Sequence, residues 1–148
     1  MPDPHDLSRF VQAQEGVYEQ ALSEIASGSK RTHWMWFVFP QIDGLARSPT
    51  SQRFSIKGVD EARAYLDHPV LGPRLLECAE AVVAVNGRSA REIFGSPDDL
   101  KLRSSATLFA SVFPPGSVFD RLIAKYYGGT RDAKTLQLAA VRRGRIVS

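Results

Sequence analysis

The chain has 148 residues, of which 43% are hydrophobic and 24% charged, and its formal net charge is +3. This composition is typical of a folded globular domain, and it excludes a disordered chain. The longest apolar run, Trp34 to Phe39, is far shorter than the roughly 20 residues of a membrane-spanning helix. The length predicts one domain, residues 1–141, followed by a basic tail, residues 142–148.

The N-terminal residues MPDPHDLSRF contain prolines and acids, where an export signal would have basic residues followed by an apolar stretch. The single cysteine, Cys78, cannot form an internal disulfide, which agrees with a reducing compartment. The cysteine and the three scattered histidines also lack the spacing of a metal site. We therefore expect a cytoplasmic protein with no metal and no cofactor.

Apolar residues recur at helical spacing along most of the chain. The first stripe runs from Leu7 to Ile25, and Gly16 is a point where it bends or divides. Glycine, proline and capping residues bound the later stripes. These begin near Asp60, Pro73, Ser89, Ser96, Ser117 and Asp132. The pattern predicts an all-α fold, a compact single-domain bundle of about six or seven helices.

Residues 33–58 allow two interpretations. The run from Trp34 to Phe39 has the length of a buried strand or of a short helix, and Phe54 and Ile56 alternate with polar neighbours as an edge strand does. A minor two-stranded ribbon is therefore left open here. A short helix is favoured for the aromatic run, since an isolated ribbon is marginally stable.

The first candidate site is KRTHWMWFVFPQ, residues 30–41, in which cations precede an aromatic run. Burial of the aromatic rings in the core explains the run without a ligand. The alternative is a shelf on which Trp34 or Trp36 stacks with a planar group while Lys30 and Arg31 meet a phosphate. His33 would then be the catalytic proton shuttle, because histidine titrates near neutral pH.

The second candidate is SPDDLKLRSSATLF, residues 96–109. The spacing of Asp98 with Lys101 and of Asp99 with Arg103 is that of surface ion pairs. Alternatively, Lys101 and Ser104 share a helix face and bind an anion, with Arg103 as a further ligand residue. A serine nucleophile activated by Lys101 would in addition need an oxyanion hole, which the sequence does not indicate.

The third candidate is FPQIDGLARSPTSQR, residues 39–53, where prolines, glycine and polar residues predict a loop. Loops on a rigid scaffold often carry binding residues, and Gln41, Arg47 and Ser48 are the candidates here. An irregular connection with solvated arginines explains the same residues equally well.

Several stretches resemble one known family: LSRFVQAQ, HWMWFVFPQ, HPVLGPRL and DDLKLRSSATLF with IFG just before it. This is the family of uncharacterised bacterial proteins catalogued as domain of unknown function 1810, which is sometimes labelled calpastatin. The sequence departs from the family pattern at Ala46, where glycine is more usual before the arginine. The resemblance implies a compact multihelical fold, and it implies no activity, catalytic residue or cofactor.

Two functions of different classes remain. The first is binding of, or action on, a phosphate-bearing, nucleotide-like small molecule at the candidates above. The second is a non-enzymatic protein-interaction module, which includes self-association through an exposed apolar patch. The small net charge and the lack of a recognised motif argue against nucleic acid as a partner.

Overall fold

The computed structural model describes the backbone of residues 2–147 and the side chains of residues 2–141. Within this range the chain forms ten helices and no strand. They are α1 Ser8–Gln14, α2 Tyr18–Ala26, α3 Met35–Val38, α4 Pro49–Arg53, α5 Val59–Asp67, α6 Leu71–Ala84, α7 Ala90–Phe94, α8 Asp98–Ala110, α9 Val118–Tyr127 and α10 Ala133–Val147. The basic tail proposed for residues 142–148 lies outside the described side chains. No helix of the described backbone combines the length and apolarity needed to cross a bilayer.

The all-α prediction is confirmed, but the count of six or seven helices is wrong. The N-terminal stripe is two helices, because Gly16 between them adopts a left-handed backbone with φ of 72°. A further helix, α4, lies in the segment that was predicted as a loop. Ser48 caps it, since the backbone N–H of Ser51 donates to the Ser48 Oγ at 3.1 Å.

The two-stranded ribbon left open for residues 33–58 is not formed in the described chain. The aromatic run forms the short helix α3, as favoured, and the pairing of the two segments is reduced to a single bridge between Ile42 and Ile56. Both isoleucines are fully buried, so this bridge joins the two segments inside the core. It fixes the course of the loop that follows α3.

Helix α8 is the centre of the molecule and packs against α5, α7, α9 and α10. It is buried on all sides from Ser104 to Phe109, as expected of a helix with neighbours all round. A row of aromatic rings crosses the core beside it, with centroid distances of 5.1 Å from Phe10 to Tyr65 and 5.4 Å from Tyr65 to Phe109. The first turns of α8 reach the surface and face the loop after α3.

Candidate functional site

Two adjoining hollows lie between the loop after α3 and the first turns of α8. The tighter hollow is lined by Trp36, Gln41, Ala46 and Lys101 among others, and its volume of about 10 Å³ is close to what one water molecule needs. The wider cleft has a volume of about 260 Å³. Gln41, Ala46 and Lys101 line both hollows, so they form one continuous surface.

The wider cleft is lined by side chains from three segments. The loop contributes Gln41, Leu45 and Ala46, and the α8 end contributes Pro97, Leu100, Lys101, Arg103 and Ser104. The third segment contributes Asp132, directly before α10. The structure therefore brings together four of the predicted ligand residues, which are Gln41, Lys101, Arg103 and Ser104.

Lys101 stands at the junction of the two hollows. Its ammonium Nζ lies 5.2 Å from the ring centroid of the half-buried Trp36, within the range of a cation–π contact. The nearest carboxylate oxygen is Asp98 Oδ1 at 3.6 Å, which is longer than a hydrogen bond. The ammonium thus retains N–H donors that can serve a ligand.

Arg103 lines the wider cleft beside Asp132. Its Nη2 is 3.8 Å from Asp132 Oδ1, and its guanidinium carbon is 5.8 Å from the ring centroid of Tyr127. The Nε atom is buried and has no hydrogen-bond partner within the described chain. The other guanidinium nitrogens are therefore the ones that can donate towards the cleft.

Asp132 is held rigidly with one oxygen to spare. Its Oδ2 accepts hydrogen bonds from the backbone N–H of Thr135 at 2.9 Å and from the Thr135 hydroxyl at 2.5 Å. Its own backbone N–H donates to Thr107 Oγ1 at 3.0 Å. The spare oxygen, Oδ1, faces Arg103 at the distance given above.

Ser104 lines the cleft, but its hydroxyl proton is already used in a hydrogen bond within α8. Its hydroxyl donates to the backbone carbonyl of Leu100 at 3.1 Å, one turn earlier in α8. This bond is the usual way in which a helix accommodates serine, and it leaves the oxygen free to accept but not to donate. The cleft therefore shows no activated serine nucleophile.

Trp34 and Lys30, in contrast, are sealed in the interior. Trp34 is 0% exposed, and its indole N–H donates to Glu24 Oε1 at 2.9 Å. Lys30 Nζ lies 2.9 Å from Asp98 Oδ2 and donates to the Thr32 carbonyl at 2.6 Å. Neither side chain lines either hollow.

Glu24 organises this sealed region. It accepts hydrogen bonds from the backbone N–H groups of Arg31 and Thr32, from the Thr32 hydroxyl and from Trp34. Burial alone would raise the pKa of this carboxyl, but the four hydrogen bonds favour the charged form and lower the pKa to about 2. Glu24 is therefore an ionised anchor for the segment that leads into α3.

The remaining predicted residues lie on the surface. Arg31, His33, Arg47 and Ser48 are exposed, and none of them lines either hollow. The hydroxyl of Ser48 is occupied as the cap of α4. The catalytic role of His33 stays a prediction, and His33 does not line the cleft.

A larger depression of about 690 Å³ lies near the N-terminus and contains several cations. Its central cation, Arg9, is already committed, because the guanidinium donates to four backbone carbonyls and pairs with Glu61 at 2.7 Å. Lys57 donates to Ser55 Oγ at 2.7 Å. These groups hold the fold together, so the depression is the weaker candidate.

Sequence reasoning missed Asp132, Leu45 and Tyr127. Asp132 is 29 residues beyond Arg103 in sequence, and it was recognised only as the start of a helix. No spacing rule links two such positions. In the described part of the chain, no group of three or more histidine, cysteine or acidic side chains is arranged to hold a metal ion.

The fold is compact and all-helical, and the cleft is lined by polar and charged side chains. The chain belongs to the family described as protein of unknown function (DUF1810), whose model matches residues 4–139. The resemblance seen in the sequence is thereby confirmed. Among curated proteins, none matches the chain.

The structure is similar to the 1.38 Å crystal structure of the conserved hypothetical protein Rv1873 from Mycobacterium tuberculosis. The two sequences are 55% identical, and the TM-score is 0.91 over 93% of this chain and 99% of that one. The similarity adds no activity to the fold.

Proposed function

We propose that the cleft binds a small phosphate-bearing molecule. The single observation that carries the proposal is that Lys101, Arg103 and Gln41 line one surface, where the ion-pair contacts of the two cations, 3.6 Å to Asp98 and 3.8 Å to Asp132, are longer than hydrogen bonds. A guanidinium and an ammonium side by side are the groups that proteins use to hold phosphate. An amide such as Gln41 adds a donor for a third phosphate oxygen.

The local charge supports an anionic ligand. Asp98 lies between two ammonium groups, and its distance to Lys30, 2.9 Å, is shorter than its distance to Lys101, 3.6 Å. Its negative charge is therefore taken up mainly by the buried lysine. Lys101 keeps a positive charge at the mouth of the cleft, where a phosphate can approach from solvent.

The size of the cleft favours a ligand smaller than a complete nucleotide. Its volume of about 260 Å³ lies below the roughly 300–1,000 Å³ of clefts that hold drug-sized ligands. The hollow beside Trp36 accommodates about one water molecule, and Lys101 already covers that indole ring. Stacking of a base on Trp36 would thus require Lys101 to move.

A thermal-shift titration tests the proposal. Inorganic phosphate and phosphorylated metabolites should raise the melting temperature, since a ligand at 100 times its dissociation constant adds about 2.7 kcal/mol to the folded state. For a domain of this length that corresponds to roughly 5–10 °C. Lys101→Met should abolish the shift, because it removes the ammonium at the mouth of the cleft.

Arg31→Met is the matched control, because it removes an arginine that is exposed and lines neither hollow. It should leave the shift unchanged. Equal loss in both variants would indicate general charge attraction, and no shift in the unmodified protein would reject the proposal.

The interaction-module alternative has less support. The clearly exposed large apolar side chains in the described part are Leu100, Leu136 and Val141. A few such side chains are normal for a monomer, and an interaction surface needs a contiguous patch of several hundred Å². Sedimentation equilibrium at rising concentration tests self-association, and a dimer would restore this alternative.

A further inference from the structure

The cleft has a second polar end, formed by Arg103 and Asp132. Their closest ion-pair atoms, Arg103 Nη2 and Asp132 Oδ1, are 3.8 Å apart, too far for a direct hydrogen bond. Asp132 is fixed at this distance, because Thr135 holds its Oδ2 and Thr107 accepts from its backbone N–H. Two charged groups of opposite sign thus face each other without a full contact.

A phosphate alone does not suit this end. The carboxylate of Asp132 repels an anion at close range, and no hydrogen-bond donor of Asp132 other than its occupied backbone N–H is present. A hydroxyl group suits it well, because a hydroxyl donates one hydrogen bond and accepts others. It can donate to Asp132 Oδ1 and accept from an N–H of Arg103 at the same time.

We infer that the ligand is a phosphorylated sugar or polyol, whose phosphate meets Lys101 while a free hydroxyl bridges Arg103 and Asp132. This inference rests on the proposed function and specifies its ligand class. It accounts for the mixed charge of the lining, which a simple phosphate site does not need. It also agrees with the volume of about 260 Å³, which suits a molecule smaller than a nucleotide.

Calorimetric titration of the full chain tests the inference with two probes, inorganic phosphate and ribose 5-phosphate. The unmodified protein should bind ribose 5-phosphate at least about tenfold more tightly, as expected for hydrogen bonds between a hydroxyl and charged groups. Lys101→Met should weaken the binding of both probes.

Asp132→Asn separates the two ends of the cleft. It removes the charge but keeps an oxygen that can cap α10. Ribose 5-phosphate should lose most of its advantage, while inorganic phosphate should bind as well as before or more tightly. Asp120→Asn is the matched control, because Asp120 pairs with Arg131 outside the cleft and its loss should change neither affinity.

Arg103→Lys is a second variant in case Asp132→Asn fails to fold. It keeps the positive charge but loses the forked guanidinium, so the preference for ribose 5-phosphate should fall while phosphate binding persists. If phosphate binds and ribose 5-phosphate binds no better, this inference is overturned and the phosphate site stands. If neither probe binds the unmodified protein, the proposed function fails as well.

Discussion

Two lysine–tryptophan pairs share the carboxylate of Asp98 and have nearly the same geometry. Lys30 Nζ lies 5.0 Å from the Trp34 ring centroid, and Lys101 Nζ lies 5.2 Å from that of Trp36. Their surroundings are opposite. The Lys30 side chain is 6% exposed and Trp34 is fully buried, whereas Lys101 is 22% exposed and Trp36 lies at a hollow.

The difference shows what separates a structural pair from a binding pair. In the buried pair the polar atoms are satisfied by the fold, since Glu24 takes the indole N–H and Asp98 with the Thr32 carbonyl takes the ammonium. In the open pair the ammonium keeps free donors beside a cleft. A cation next to a tryptophan therefore indicates a binding site only when the cation has hydrogen-bond donors that the fold does not use.

The largest expected effect on stability is that of Trp34→Ala. Removal of a buried aromatic side chain should lower the free energy of unfolding by about 3–5 kcal/mol. Trp36→Ala, the matched change, should cost less, about 1–2 kcal/mol, because its side chain is only partly buried. Urea titration followed by circular dichroism measures both, and equal losses would show that the two environments do not differ as described.

Glu24→Gln should have the next largest effect. The substitution keeps the shape of the side chain but removes the negative charge that accepts four hydrogen bonds. It should lower the free energy of unfolding by about 2–3 kcal/mol. Glu19→Gln on the exposed side of α2 is the control and should change stability by less than about 0.5 kcal/mol. Urea titration at neutral pH measures the change in the free energy of unfolding for both variants.

The pH dependence of stability gives a second measure of Glu24. Its pKa in the folded protein, about 2, lies below the ordinary value of 4.5, so its contribution is present above the ordinary pKa and is lost as the pH falls from about 5 towards 2. Glu24→Gln should make the stability curve flatter in this window. An unchanged slope would mean that the carboxyl is not held in its charged form.

How far the fold follows from the sequence depends on local signals. Ser89 and Glu92 form the predicted capping box, and Gly95 ends the helix as expected. The division at Gly16 was left open because one glycine bends some helices and ends others. Helix α4 was missed because proline and serine favour loops as strongly as they favour a first helical turn.

The site was predictable in part for a similar reason. Lys101, Arg103 and Ser104 are close in sequence and were recognised together. Two neighbouring residues of the aromatic run, Trp34 and Trp36, could not be told apart, because sequence does not say which face of so short a helix meets the core. The partner of Arg103 across the cleft depends on tertiary packing of α8 against α10, which no local pattern encodes.

The smallest expected effect on stability separates the two lysines. Lys30→Met should cost about 1–2 kcal/mol, since Asp98 loses its close partner inside the protein. Lys101→Met should cost less than about 0.5 kcal/mol, because its contact with Asp98 is long and partly solvated. Urea titration compares them, and a larger loss for Lys101→Met would assign it to the fold instead of the cleft.

The most direct test of the account is iodide quenching of tryptophan fluorescence with and without ribose 5-phosphate. The account predicts two populations: Trp36 is quenched and becomes protected when the ligand binds, while Trp34 is inaccessible throughout. Trp36→Phe should remove the quenched population. Equal quenching of both tryptophans, or quenching of Trp36 that saturating ligand does not change, would contradict the claim that the open lysine–tryptophan pair marks the binding site.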